Sequence, residues 1–205
     1  MVRILSLFFC GALLCFAAAC GTAEPTFDAK SLAMTVAPEN FYIVDADARI
    51  YRSAQPDEAS FAELKRIGVR SILNLRQGFR DTAKHPGIPD GIREYECGIS
   101  TGMMDRADLV RALKIIRDAP RPLLIHCLHG ADRTGAVVAA YRIVFQDWTP
   151  EEAVAEMEHS RYGMHKFLFP NLAALIRRAD WSAIRREVLE HGDSSAPASL
   201  SASGD

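Results

Sequence analysis

The chemistry-bearing stretch of this chain is Ile125-His126-Cys127-Leu128-His129-Gly130-Ala131-Asp132-Arg133-Thr134-Gly135. A thiol stands six residues before a guanidinium, with a glycine between them and a hydroxyl directly after. One apolar run, Leu123 to Ile125, leads in, and a longer one, Ala136 to Phe145, leads out. This pattern predicts a buried strand, a tight loop and a helix. The backbone N–H groups of such a loop converge on an anion, and the helix dipole adds partial positive charge. A thiol held there beside an arginine ionises readily and becomes a nucleophile, the role expected of Cys127. Arg133 offers a planar fork for two oxygens of a phosphoryl group. Gly130 lets the chain turn sharply and approach the anion closely. Thr134 places a hydroxyl near the sulfur, where it can donate to the thiolate. His126 is expected to orient the loop through ring hydrogen bonds. The cradle itself would be Leu128, His129, Gly130, Ala131, Asp132 and Arg133.

A Cys and an Arg at this spacing are a weak signal alone, and a free Cys is usually a small buried core residue. That bland role needs neither the Gly nor the Arg, so the whole combination favours chemistry.

The stretch His126 to Gly135 resembles the signature of cysteine-dependent protein tyrosine phosphatases, and its Asp-Arg-Thr-Gly form resembles their small bacterial dual-specificity-like branch. Ile50-Tyr51-Arg52-Ser53-Ala54-Gln55-Pro56, the strand-like Gly68 to Arg76, and Trp148 to Glu156 resemble further segments of that branch, so the likeness extends over roughly residues 40–175. The resemblance implies an α/β fold, with a central, mostly parallel sheet flanked by helices. It also implies a phosphocysteine intermediate, with neither cofactor nor metal.

Such a mechanism needs a proton donor for the leaving oxygen. In the family this is an Asp on a loop upstream of the Cys. Asp105 is the first candidate, because it stands at a loop–helix junction; it can equally be a helix cap, with Asp108 completing a capping box. Asp108 and Asp81 are the other candidates. The chain lacks the Trp-Pro-Asp of the classical pattern.

The elements that must position these groups follow from periodicity and turn residues. Phe41 to Val44 and Ile50 to Ser53 read as a hairpin, and Asp57 as the cap of a helix ending near Gly68. Val69 to Leu75 is apolar enough for a central strand. Arg76 to Gly91 reads as a loop that could overhang the site, and Ile92 to Ile99 as another strand. Asp105 to Asp118 reads as a helix with Leu109, Leu113 and Ile116 inward. Thr149-Pro150-Glu151-Glu152 is a strong helix start. Two more helices are expected near Phe169 to Ala179 and Trp181 to Glu190.

The remaining chain speaks to location and partners. Of the 205 residues 49% are apolar, enough for one core, and the net charge of -2 disfavours nucleic acid. Residues 1–19 read as a secretory signal: Arg3, then the apolar stretch Ile4 to Leu14, then small residues before Cys20. This resembles a bacterial lipobox and implies a lipid anchor at Cys20 in an exported, periplasmic protein, held at the outer membrane because residue 21 is not Asp; the plainer alternative is ordinary cleavage after Ala19 that leaves Cys20 free. Residues 20–38 are expected as a tether, 39–192 as the catalytic domain and 193–205 as a disordered tail. Cys10 and Cys15 fall in the signal, leaving Cys97 and Cys127. Cys97 reads as a core residue; the sharper alternative is a reversible disulfide shielding Cys127.

Phosphatases of highly phosphorylated inositols tend, by the same resemblance, to carry Lys or Arg in the cradle. Here those positions are Leu128, His129, Ala131 and Asp132, and Asp132 would repel a polyanion, which points to phosphotyrosine in a protein, or to a small phosphomonoester; dual specificity stays open, because the depth of the pocket decides Tyr against Ser/Thr. Arg76, Arg80 and Lys84 could recruit acidic substrate flanks, or simply be solvated. The rival reading is a phosphate-sensing or catalytically weak module. Sulfur transfer and arsenate reduction are disfavoured by the Gly130–Arg133 spacing and by Tyr51 to Pro56.

Overall fold

The computed structural model of the protein describes residues 29–81 and 91–190. In chain order the strands are β1 (Tyr42–Asp45), β2 (Ile50–Ser53), β3 (Ser71–Arg76), β4 (Arg93–Ile99) and β5 (Leu123–His126). The helices are α1 (Glu58–Arg66), α2 (Arg106–Asp118), α3 (Asp132–Phe145), α4 (Pro150–Met157), α5 (Pro170–Arg178) and α6 (Trp181–Leu189). The sheet order is β1-β2-β5-β3-β4. Only the β1–β2 pair is antiparallel; β2, β5, β3 and β4 run parallel.

The apolar run at β5 is explained by its place. It lies between β2 and β3 and is buried on both faces, as central parallel strands are. The alternation of side chains assigns the two faces. Ile50, Leu73, Leu123 and Ile125 join the large core with residues of α2, α3, α4, α5 and α6. Tyr51, Ile72 and Leu124 join a smaller core with Phe61 and Leu64 of α1. Each fully buried Leu or Ile contributes about 1.5–3 kcal/mol.

Local signals start the helices where expected. Asp57 accepts from Ser60 N–H at 2.8 Å and starts α1. Thr149 and Glu152 form a reciprocal capping box at α4. Residues 1–28, 82–90 and 191–205 lie outside the described residues, and with them Cys20, most of the loop after β3 and the stretches expected as a signal and as a tail. The segment expected as a tether is described from residue 29. There Leu32, Met34 and Ala37 pack on the smaller core, and Arg66 Nη2 donates to Ala33 O at 2.7 Å.

Candidate active site

Cys127 directly follows β5, and α3 begins at Asp132, so residues 128–131 form the loop between strand and helix start. The loop is held from outside by its carbonyls. His126 Nδ1 lies 3.2 Å from Cys127 O. Gln55 N–H donates to Leu128 O at 3.1 Å. Asn40 Nδ2 donates to His129 O at 3.0 Å, and Arg52 Nη2 to Gly130 O at 2.7 Å. A trans peptide is planar, with its N–H opposed to its C=O. Four outward carbonyls therefore turn the N–H groups of Leu128, His129, Gly130 and Ala131 to the opposite side. That is an anion cradle built from main chain.

Gly130 makes this close approach possible. Its φ is +67°, and a Cβ there would fall 2.4 Å from Ser53 C and 2.5 Å from Ala54 N. Arg52, the last but one residue of β2, is only 1% exposed and lies under the loop, its guanidinium 4.1 Å from the Tyr162 ring centre. Burial pushes the Arg52 pKa down, while Tyr162, Glu156 and Cys127 favour the charged form.

His126 is fully buried, and its Nε2 lies 2.8 Å from Asp81 Oδ2. Asp81 is fully buried too; its Oδ1 accepts from Gln55 Nε2 and its N–H donates to Glu94 Oε1. Arg76 Nη1 donates to Gln55 Oε1 at 3.0 Å and completes this network. Asp81 is thus a brace for His126, which argues against its candidacy as proton donor.

Cys127 is 2% exposed, so only a small group that enters the loop can reach its sulfur. Arg133 and Thr134 sit on the first turn of α3. Among the described residues Arg133 Nη1 makes only long contacts, 3.5 Å to Leu75 O and 3.4 Å to Ile99 O. Arg133 Nε and Thr134 Oγ1 are buried and have no partner among the described residues. Buried donors are nearly always satisfied, so these two fit an oxyanion brought in by substrate. The Asp132 side chain is bound by His165, through its N–H at 2.8 Å and its Nδ1 at 2.9 Å.

Asp105 caps α2: its Oδ1 accepts from Asp108 N–H at 2.9 Å, and Asp108 returns the bond. Its other oxygen has no partner among the described residues. Asp108 is further engaged by Arg111. Of the loop cations, Arg76 also stacks on Phe79 and Arg80 pairs with Glu96 at 2.8 Å; Lys84 lies outside the described residues. Cys97 and Cys127 are both free and share the large core. Burial pushes the Cys97 thiol up, against an opposing effect of Arg111.

Sequence reasoning assigned no role to Arg52, Asn40, Gln55 or His165. Each meets the loop from a distant segment. The local hints were that a charged Arg52 sits inside the short strand β2 and that Arg52 and Gln55 both fall within the family-like segment Ile50 to Pro56.

The sequence model described as the tyrosine phosphatase family matches residues 35–167. The chain belongs to that family. The dual specificity protein phosphatase TpbA of Pseudomonas aeruginosa strain PAO1 is 33% identical over 138 residues, which cover 66% of this chain and 62% of that relative's length. An inositol diphosphatase of Arabidopsis thaliana is 31% identical over 128 residues, 59% of this chain and 62% of its own. Among solved structures, a Cys-to-Ser variant of P. aeruginosa TpbA in complex with phosphotyrosine superposes with a TM-score of 0.66, at 29% identity, over 82% of this chain and 98% of that one. The catalytic core of a PP-IP phosphatase from S. cerevisiae gives 0.61 at 28% identity, over 74% and 91%. The tyrosine phosphatase fold thus accounts for the mostly parallel sheet and for the position of Cys127 at its central strand.

Proposed function

We propose that this tyrosine phosphatase family member hydrolyses phosphate monoesters, foremost phosphotyrosine in proteins, through a phosphocysteine. The observation that carries this is the set of four outward-tied carbonyls, which turns four amides to one side of the loop beside Cys127. In the first step the Cys127 thiolate attacks phosphorus as the bond to the leaving oxygen breaks. The amides and Arg133 hold the equatorial oxygens, where charge spreads. Asp105 gives its proton to the leaving oxygen; its free carboxylate oxygen and exposure support this role, since capping uses only Oδ1. In the second step water attacks phosphorus, its proton passes to Asp105, and the S–P bond breaks. Thr134 Oγ1 donates to the departing thiolate.

Phosphotyrosine is favoured by what surrounds the loop. No Lys or Arg stands at positions 128–132 to bind a polyphosphate. Large apolar side chains are exposed at Leu128 in the loop itself, at Met103 just before the α2 cap, and at Phe167 and Leu168 just after His165, which holds Asp132. The TpbA complex with phosphotyrosine is consistent with this choice. The test is vanadate-sensitive turnover of a phosphotyrosine peptide and of an inositol pyrophosphate by wild type and Cys127→Ser. The peptide should be the better substrate and the variant inactive. A preference for the inositol substrate would overturn the substrate assignment, and activity in Cys127→Ser would overturn the nucleophile.

Export and lipid attachment at Cys20 rest on Arg3, the apolar stretch Ile4 to Leu14 and the small residues before Cys20. Labelled palmitate should enter the wild-type chain in bacteria and not Cys20→Ser; equal labelling would remove the anchor from Cys20.

A further inference from the structure

Three metal-ligating side chains meet at the rim of the phosphate loop and take no part in the proposed reaction. They are His129 from the loop, Asp132 from the start of α3, and His165 from the segment before α5. Their ligand atoms all lie within 4.8 Å of one another. We propose that His129, Asp132 and His165 form a site for a divalent transition metal of the Zn2+ class.

The carboxylate is already set for such a role. Asp132 is buried, and the His165 main-chain N–H holds its Oδ1 at 2.8 Å. Oδ2 lies 2.9 Å from His165 Nδ1. Hydrogen bonds to a ligating carboxylate fix its orientation and tune its affinity. The His129 and His165 rings are 5.6 Å apart at 60°, and both side chains are exposed. Tetrahedral Zn2+ with bonds of about 2.0–2.1 Å needs ligand atoms about 3.3 Å apart. Asp132 Oδ2 and His165 Nδ1 stand at hydrogen-bond distance, 2.9 Å, and open by about 0.4 Å to take up an ion; a rotation of exposed His129 closes the rest.

The donor set also selects the ion. Two imidazoles and one carboxylate suit zinc and its neighbours rather than Mg2+ or Ca2+, which prefer oxygen. Three protein ligands leave a fourth position for water. Both histidines line a cavity of about 400 Å³ together with Glu39, Asn40, Tyr42 and Arg161. Asn40 Oδ1 is buried without a partner among the described residues and can accept from a metal-bound water. Glu39 brings a further negative charge to the same cavity.

The test uses the full chain carrying Cys127→Ser, which removes the active-site thiol as a competing ligand. Zn2+ binding is measured by calorimetry, and Co2+ is used as a spectroscopic probe. The expected result is Co2+ bound through nitrogen and oxygen, with visible bands and no near-ultraviolet thiolate band. Loss of even an outer-shell partner costs about 10–100-fold in metal affinity, so His165→Ala and His129→Ala should each weaken Zn2+ by at least about tenfold. His159→Ala, an exposed histidine outside the cluster, should bind as the parent does. Unchanged affinity in His165→Ala and His129→Ala, a dominant thiolate band, or no Zn2+ binding at all would each overturn the site. Phosphatase activity enters none of these readouts, so the metal site and the proposed reaction stand or fall separately.

Discussion

Arg52 Nη2 donates to Gly130 O at 2.7 Å, joining a fully buried guanidinium at the end of β2 to the tightest point of the phosphate loop, 78 residues away. Arg52 Nε and Nη1 are buried without a partner among the described residues, so an apolar side chain of similar size relieves a desolvation cost that offsets the lost bond to Gly130 O. Losing the hydrogen bond, however, frees the Gly130 carbonyl to turn and so misaims the Ala131 amide. Arg52→Met should therefore keep its melting temperature near that of wild type, while kcat/KM falls by about tenfold to a hundredfold. Thermal melts and kinetics on one preparation check this; a variant that loses stability but not turnover would reject it.

Gly130 admits no side chain. A left-handed backbone costs about 1–2 kcal/mol for an L-residue, and the overlap with Ser53 and Ala54 adds about 1–3 kcal/mol. Gly130→Ala should lose most activity and shift the urea midpoint down measurably. Wild-type stability with full turnover would show that the loop does not sit against β2 as described.

Asp105 should reveal itself through the leaving group. General acid catalysis is worth about 10²–10⁴-fold when the departing oxygen is basic. Asp105→Asn should lose that much on phenyl phosphate and far less on an activated nitrophenyl ester. An equal loss on both esters would confine Asp105 to its capping role, and Asp108→Asn serves as the comparison.

Asp45 gives the fold an acid-sensitive point. Burial pushes its pKa up, but the Ala48 N–H, Tyr141 OH, Gln146 amide and Arg142 charge outweigh that and hold it below the usual value. The folded state therefore favours the carboxylate. Its stability is fully present above the ordinary aspartate value of about 3.9 and is lost as pH falls through the lower folded value. Asp45→Asn should be less stable than wild type at neutral pH, with the gap closing in acid. Denaturation curves at several pH values measure it; a gap independent of pH would count against the pairing.

Cys97 should be chemically quiet. Burial favours its neutral thiol, and it lies on β4 rather than in the loop that gathers the amides around Cys127. Mass mapping after brief alkylation of the folded protein at neutral pH should find Cys127 modified and Cys97 intact, with Cys97 reacting once urea is added. Stoichiometric modification of Cys97 in the native state, or a Cys97–Cys127 bond after peroxide treatment, would revive the protective disulfide.

Local chemistry made part of this site readable in advance. The apolar run before Cys127, the glycine and the Arg-Thr pair define strand, loop and helix within a dozen consecutive residues. Asp57, Thr149 and Asp105 announce their helices for the same reason: a cap acts three residues along. The braces were opaque because they act across the sheet. Asp81 reads locally as one more loop carboxylate, and only the pairing of β3 with β5 brings its neighbourhood to His126. His165 gives no sign in sequence of its hold on Asp132, 33 residues earlier. Arg52 hides in a strand whose alternation says nothing of what lies beyond its end.

Three parallel neighbours, β2, β5 and β3, finish side by side, with Ser53 and Asn74 both in register with His126. The catalytic bowl is therefore assembled from pieces that no single contiguous segment contains. A half-formed molecule, however helical, would have no working centre. Recovery of turnover after dilution from denaturant thus reports the joining of distant chain segments, and should lag behind the return of helical signal.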